Sequence, residues 1–241
     1  MVAPSRFGYF GSTLPSNATP ADQADVYAAL LDHLGIDRAI VIGYSAASVL
    51  EFALRHAERV IGLILASARL GGGITANQRL APAFRVAYSA QPLFWAFKAL
   101  APTAYGRMMG APKKYRPTAS EATTLAGIRE LLFPLTPRRD GAVFDGFIGN
   151  LAGDRFPLER LPVPTLLISA VDDGHAPYCF AATAAARIPR ARLVTIERGG
   201  HIFLGHETHV REAIGEFIQP ILAAKQTHTQ TNLRTGSADA L

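Results

Sequence analysis

The stretch Arg38-Ala-Ile-Val-Ile-Gly43, then Tyr44-Ser45-Ala46-Ala47, then Ser48-Val-Leu-Glu-Phe-Ala-Leu-Arg-His56 decides the fold. Arg38 to Gly43 is a short apolar run rich in β-branched side chains, the composition of a buried strand. The stretch from Ser45 to His56 places apolar residues at helical spacing. A strand must therefore turn into a helix at Ser45. So tight a turn crowds the backbone on both sides, and the residues two positions away have to be small. Gly43 and Ala47 meet that need, with Tyr44 between Gly43 and the serine.

Two further strand ends carry polar residues. Val163 to Ala170 reads VPTLLISA and is followed by Asp172-Asp173. Arg192 to Glu197 reads RLVTIE and is followed by Gly199-Gly200-His201. Serine, acid and histidine thus occur in that order, each just past the C-terminal end of a strand, where open α/β sheets build their sites. With Gly43, Tyr44 and Ala47 framing Ser45 as a nucleophile elbow, the chain resembles the α/β-hydrolase superfamily from its first residues to about Leu222. The resemblance implies a mostly parallel sheet with flanking helices and a helical lid. It also implies a catalytic set of Ser45 as nucleophile, His201 as base and Asp173 as the acid that orients the imidazole. The family spacing Gly-x-x-Asp-x-x-x-Pro favours Asp173 over Asp172, because Ala170 and Pro177 stand in the flanking positions. Asp172 is then expected to cap or pair locally, and His175 to be a loop side chain. Acyl transfer needs donors for the developing oxyanion; the resemblance assigns one to the backbone N–H of Ala46.

The second donor of that family comes from a loop after the third strand, often marked by His-Gly. No such segment is read here. Met1 to Ser12 reads as the end of a fourth strand, Val2-Ala3, and the Pro-x-Arg-x-Gly loop after it. The chain is accordingly expected to be N-terminally truncated, with strand Arg38–Gly43 at a sheet edge and with impaired activity. The core is expected over residues 1–68 and 162–224, the lid over 69–161 and a disordered tail over 225–241.

Thr19-Pro20-Ala21-Asp22 is a helix start, with Thr19 as cap, Pro20 in the first turn and Asp22 at the positive end of the dipole; Gly35 ends the helix. Strand Val60–Ala66 completes a βαβ unit. Within the lid segment, helical patterns run over Asn77–Ala90, Leu93–Leu100, Ala119–Leu132 and Asp140–Leu151, entered through Gly71-Gly72-Gly73. Phe84, Tyr88, Phe94, Trp95 and Phe97 are read as lid core, some of them lining an apolar pocket. A helix over Phe203–Ala224 closes the fold.

At 241 residues, with 49% hydrophobic and 18% charged residues, the chain can bury a sizeable core. No stretch reaches about 18 uninterrupted apolar residues, so no membrane span is expected. The net charge of +5 is spread over isolated basic residues without aromatic interleaving, which argues against nucleic acid. The single cysteine, Cys179, excludes an internal disulfide, fits a reducing, cytoplasmic setting and reads as a buried small side chain. His206-Glu-Thr-His209 is one residue short of the zinc spacing His-Glu-x-x-His, and no metal or other cofactor is expected. The expected activity is hydrolysis of carboxylic esters or related activated acyl compounds through an acyl-serine, on a small, apolar acyl substrate. From another class comes a non-catalytic binding module or remnant of such an enzyme.

Overall fold

A computed structural model describes residues 1–45, 48–70, 78–112, 116–131, 133–149 and 156–235. Four parallel strands form the sheet: β1 (Ala39–Tyr44), β2 (Val60–Ala66), β3 (Thr165–Ala170) and β4 (Ala191–Ile196), in spatial order β1-β2-β3-β4. The central strands are apolar at nearly every position because both faces are covered. Alternate side chains go to opposite faces. Leu63, Leu65 and Leu167 pack with Leu50, Phe52 and Ala184, from helices α2 (Ser48–Arg55) and α8 (Tyr178–Arg187). Ile64, Ala66, Leu166 and Ile168 pack with Ala213 and Phe217 of the last helix, α9 (Glu207–Thr235). No helix among the described residues is long and apolar enough to cross a membrane.

Helix α1 (Pro20–His33) starts as its residues dictate. Asp22 N donates to the Thr19 hydroxyl, and the Asp22 carboxylate accepts from Thr19 N in return. Strand β1 is hydrogen-bonded to β2 along one side and has no strand on its other side among the described residues. Ile42 and Tyr44 of β1 are exposed.

Between β2 and β3 lies a helical segment: α3 (Ala81–Ser89), α4 (Gln91–Leu100), α5 (Pro102–Met108), α6 (Ala119–Leu131) and α7 (Arg139–Phe144), followed by a π-helical turn at Asp145–Gly149. The glycines at 71–73, with Asn77 and Leu132, lie outside the described residues. So does the end of the helix expected over Asp140–Leu151. Helix α5 was not expected, because its sequence, PTAYGRM, is too short to display a period.

Five expectations are corrected. Val2-Ala3 forms no strand; residues 1–6 have no regular structure, and the chain is anchored instead at Phe7, which is buried and donates its N–H to Gln23. The final helix begins at Glu207 and not at Phe203, which adopts a left-handed φ of 52°. It continues to Thr235, over residues 225–235 of the expected tail, because after Pro220 no glycine or proline interrupts it before Gly236; residues 236–241 lie outside the described residues. Cys179 is exposed: α8 buries Ala181 and Ala184, and Cys179 is on the opposite face. The aromatics of α3 and α4 are not a buried core; neither helix buries any residue, and Phe84, Trp95 and Phe97 are exposed. They form a chain of ring contacts instead, Phe84 with Tyr88 at 5.0 Å and Tyr88 with Phe94 at 5.8 Å between centroids.

The N-terminal loop is stitched to this segment. Arg6 pairs with Asp145 at 2.6 Å, and the Tyr9 hydroxyl donates to the same carboxylate at 2.6 Å. Burial pushes the Asp145 carboxyl above its ordinary range, against the pull of Arg6 and Tyr9. Tyr9 packs against Gly141, so close that a methyl group there would enter its ring. Gly141→Ala is therefore expected to cost about 1–3 kcal/mol by overpacking. Urea unfolding measures it; a midpoint equal to wild type would show that the loop yields freely.

Candidate active site

The turn after β1 bends as the small residues around it allow. Ser45 has φ of 54°, a left-handed conformation rare for a residue with a side chain, and its N–H is held by Ala66 O at 2.9 Å. That strain aims the hydroxyl out of the sheet's C-terminal end. Ala46 and Ala47 lie outside the described residues.

Ser45, His201 and Asp173 come together. His201 Nε2 is 2.6 Å from Ser45 Oγ, and its Nδ1 is 2.9 Å from Asp173 Oδ2. The Asp173 side chain is fully buried, and that of His201 nearly so. Burial alone would raise the Asp173 carboxyl. Hydrogen bonds from His201 and from the N–H groups of Ala176 and His175 outweigh it and hold the group below the ordinary carboxylate range. A carboxylate kept ionised beside Nδ1 orients the ring with Nδ1–H toward the acid, leaving Nε2 free to accept the serine proton.

The histidine's backbone is fixed from three sides. Its carbonyl accepts from the Tyr44 hydroxyl at 2.6 Å and from Ser67 Oγ at 2.8 Å. Its N–H donates to Gly110 O at 2.9 Å, in the loop after α5. Asp172 accepts from the N–H groups of Gly199 and Gly200 at 3.3 and 2.8 Å, clamping the loop that presents the ring. Asp172 thus pairs across two strand-end loops, not locally. His175 stands edge-on to the His201 ring, with centroids 5.2 Å apart.

A cleft of about 330 Å³ opens onto the serine, lined by Ser45, Arg69, Met108, Met109, His175 and His201. Arg69, Gly110, Ser67 and the two methionines were not singled out from the sequence. Their roles depend on segments far apart in the chain meeting at one point, and no local pattern signals that.

Parts of the chain are similar to known esterases. Over 107 residues it is 36% identical to a pimeloyl-[acyl-carrier protein] methyl ester esterase of Xanthomonas campestris pv. campestris; the match spans 42% of this chain and 42% of the length of that relative. A thermophilic esterase from Thermogutta terrifontis superposes with a TM-score of 0.64 at 21% identity, covering 90% of this chain and 79% of that one. The enol-lactonase from Burkholderia xenovorans gives 0.62 at 20% identity, covering 90% and 78%. At such identities the two structures establish a shared fold. Residues 1–214 match the Alpha/beta hydrolase family, and the chain belongs to that family.

Proposed function

We propose that this protein hydrolyses carboxylic esters or related activated acyl compounds through an acyl-serine intermediate. The observation that carries this reading is the 2.6 Å contact between Ser45 Oγ and the His201 ring, with Asp173 buried behind it. Ser45 Oγ attacks the ester carbonyl while His201 Nε2 takes its proton. The tetrahedral intermediate collapses, the bond to the alcohol oxygen breaks, and His201 returns the proton to that oxygen. Water then enters. His201 takes a proton from it, the hydroxide attacks the acyl-serine carbonyl, and the acid leaves as Ser45 Oγ recovers its proton. Ala46 N–H is the donor we assign to the oxyanion, on the family resemblance. The helical segment between β2 and β3 serves as the lid over the cleft, since Met108 and Met109 already line it. The curated relative's name, an esterase, supports the same reaction class.

A fluorophosphonate probe tests the reading, because it labels a serine that a neighbouring base activates. Wild type is expected to be labelled stoichiometrically and Ser45→Ala not at all. Equal labelling of the two proteins, or none of either, would remove Ser45 from the nucleophile's role and leave a non-catalytic binding module.

A further inference from the structure

The cleft beside Ser45 holds a cation with no carboxylate partner among the described residues. Arg69 lines it, and the Arg69 Nε is buried without a hydrogen-bond partner. A buried guanidinium N–H left without an acceptor is costly, and most buried polar groups are satisfied. Other arginines of this chain do have carboxylate partners: Arg6 with Asp145, Arg55 with Asp25, Arg59 with Asp32, Arg187 with Glu159 and Arg192 with Glu216. Arg129 and Arg138 also carry a buried, unpartnered Nε, but neither lines the cleft, and Arg138 rests on the Phe10 ring. No Asp or Glu is among the described residues that line the cleft. Asp173, just behind, is occupied by His201 and by the N–H groups of His175 and Ala176.

Cleft composition therefore has two parts: the apolar, adaptable side chains of Met108 and Met109, and a guanidinium whose Nε lacks an acceptor among the described residues. A guanidinium presents a planar fork of N–H donors that matches a carboxylate. Resting on the hydrolase reading above, we infer that Arg69 is a specificity-determining residue that binds a carboxylate carried by the substrate, so that the preferred esters are monoesters of short dicarboxylic acids. The methylene spacer lies against the methionines, and the free carboxylate completes the hydrogen bonding of Arg69. A neutral ester of the same shape leaves the guanidinium unsatisfied.

Two probes that differ only in charge test this: monomethyl glutarate and its neutral near-isostere methyl 4-carbamoylbutanoate. In wild type the kcat/KM for the anionic ester is expected to exceed that for the amide at least about tenfold, the yield of one charge-assisted pair. Arg69→Gln is expected to bring that ratio close to one, and Arg69→Lys to restore part of it, which a purely structural role for Arg69 would not do. A ratio that is the same in wild type and Arg69→Gln overturns the inference. Glutarate binding to Ser45→Ala and to the Ser45→Ala/Arg69→Gln double variant, measured by calorimetry, separates the two readings. If glutarate binds and the added Arg69→Gln weakens it about tenfold, while Ser45 of wild type takes no fluorophosphonate, the anion site stands and the hydrolase reading falls. If Ser45 is labelled but glutarate binding does not depend on Arg69, the anion site falls and the hydrolase reading stands.

Discussion

Asp173→Asn is expected to lower esterase kcat by about 10⁴-fold, the scale on which a mis-set histidine tautomer acts in serine–histidine–acid systems. The hydrogen-bond pattern dictates which way the new amide turns. Oδ1 of Asp173 accepts from the N–H groups of His175 and Ala176, at 2.8 and 2.9 Å. An asparagine keeps its carbonyl oxygen there, so its NH₂ faces His201 Nδ1, where Oδ2 now sits at 2.9 Å. Two donors cannot share that contact. The ring switches to the tautomer with Nδ1 bare and Nε2 protonated, and Nε2 can no longer accept from Ser45. Hydrolysis of 4-nitrophenyl butyrate and the rate of fluorophosphonate labelling both read the change. The size is nearly isosteric, so the melting temperature serves as the control for folding. A loss smaller than about tenfold in a folded protein would remove Asp173 from the orienting role.

Gly110→Val is expected to cut kcat by about 10²-fold or more, the scale of roughly 1 Å of misplacement at a reacting group. Gly110 has φ of 96°, where a side chain is strained in any case. A Cβ there would stand 2.5 Å from His201 Cβ and 3.3 Å from its Cγ. The reciprocal position is as tight: a Cβ on Gly200 would stand 2.5 Å from Gly110 O. Valine must push either the loop after α5 or the histidine aside, and the hydrogen bond from His201 N to Gly110 O is lost in both cases. The measurement is kcat alongside urea unfolding. Full activity with a normal unfolding midpoint would show that this contact does not position the ring.

The sheet was legible because each strand is a self-contained signal. The runs at Arg38–Gly43, Val60–Ala66, Val163–Ala170 and Arg192–Glu197 become β1 to β4 within a residue or two at each end. The turn at Ser45 was legible for a steric reason, since only small flanking residues permit it. Asp173 was separable from Asp172 only through the spacing of the family that the chain resembles, and the structure gives the two carboxylates different partners. What stayed hidden is of another kind. Periodicity says which side chains share a face but not whether another layer covers that face. Hence Cys179 and the aromatics of α3 and α4 were assigned to an interior that does not enclose them. The acceptor of Gly110, the donors of Tyr44 and Ser67 and the guanidinium of Arg69 meet the site only through tertiary contacts. A glycine in Met-Met-Gly-Ala-Pro looks like any loop glycine until His201 is seen against it.

The one-sided hydrogen bonding of β1 bears on how this protein behaves in a tube. Its outer row of amides and carbonyls meets no strand among the described residues, and Ile42 and Tyr44 stand exposed on the same strand. Such an edge is a template for extended segments of any origin, including those of another molecule. Pairing of two molecules at this edge would rise with protein concentration. Dilute handling keeps the template single, and rates normalised to total protein compare fairly only between samples of equal concentration.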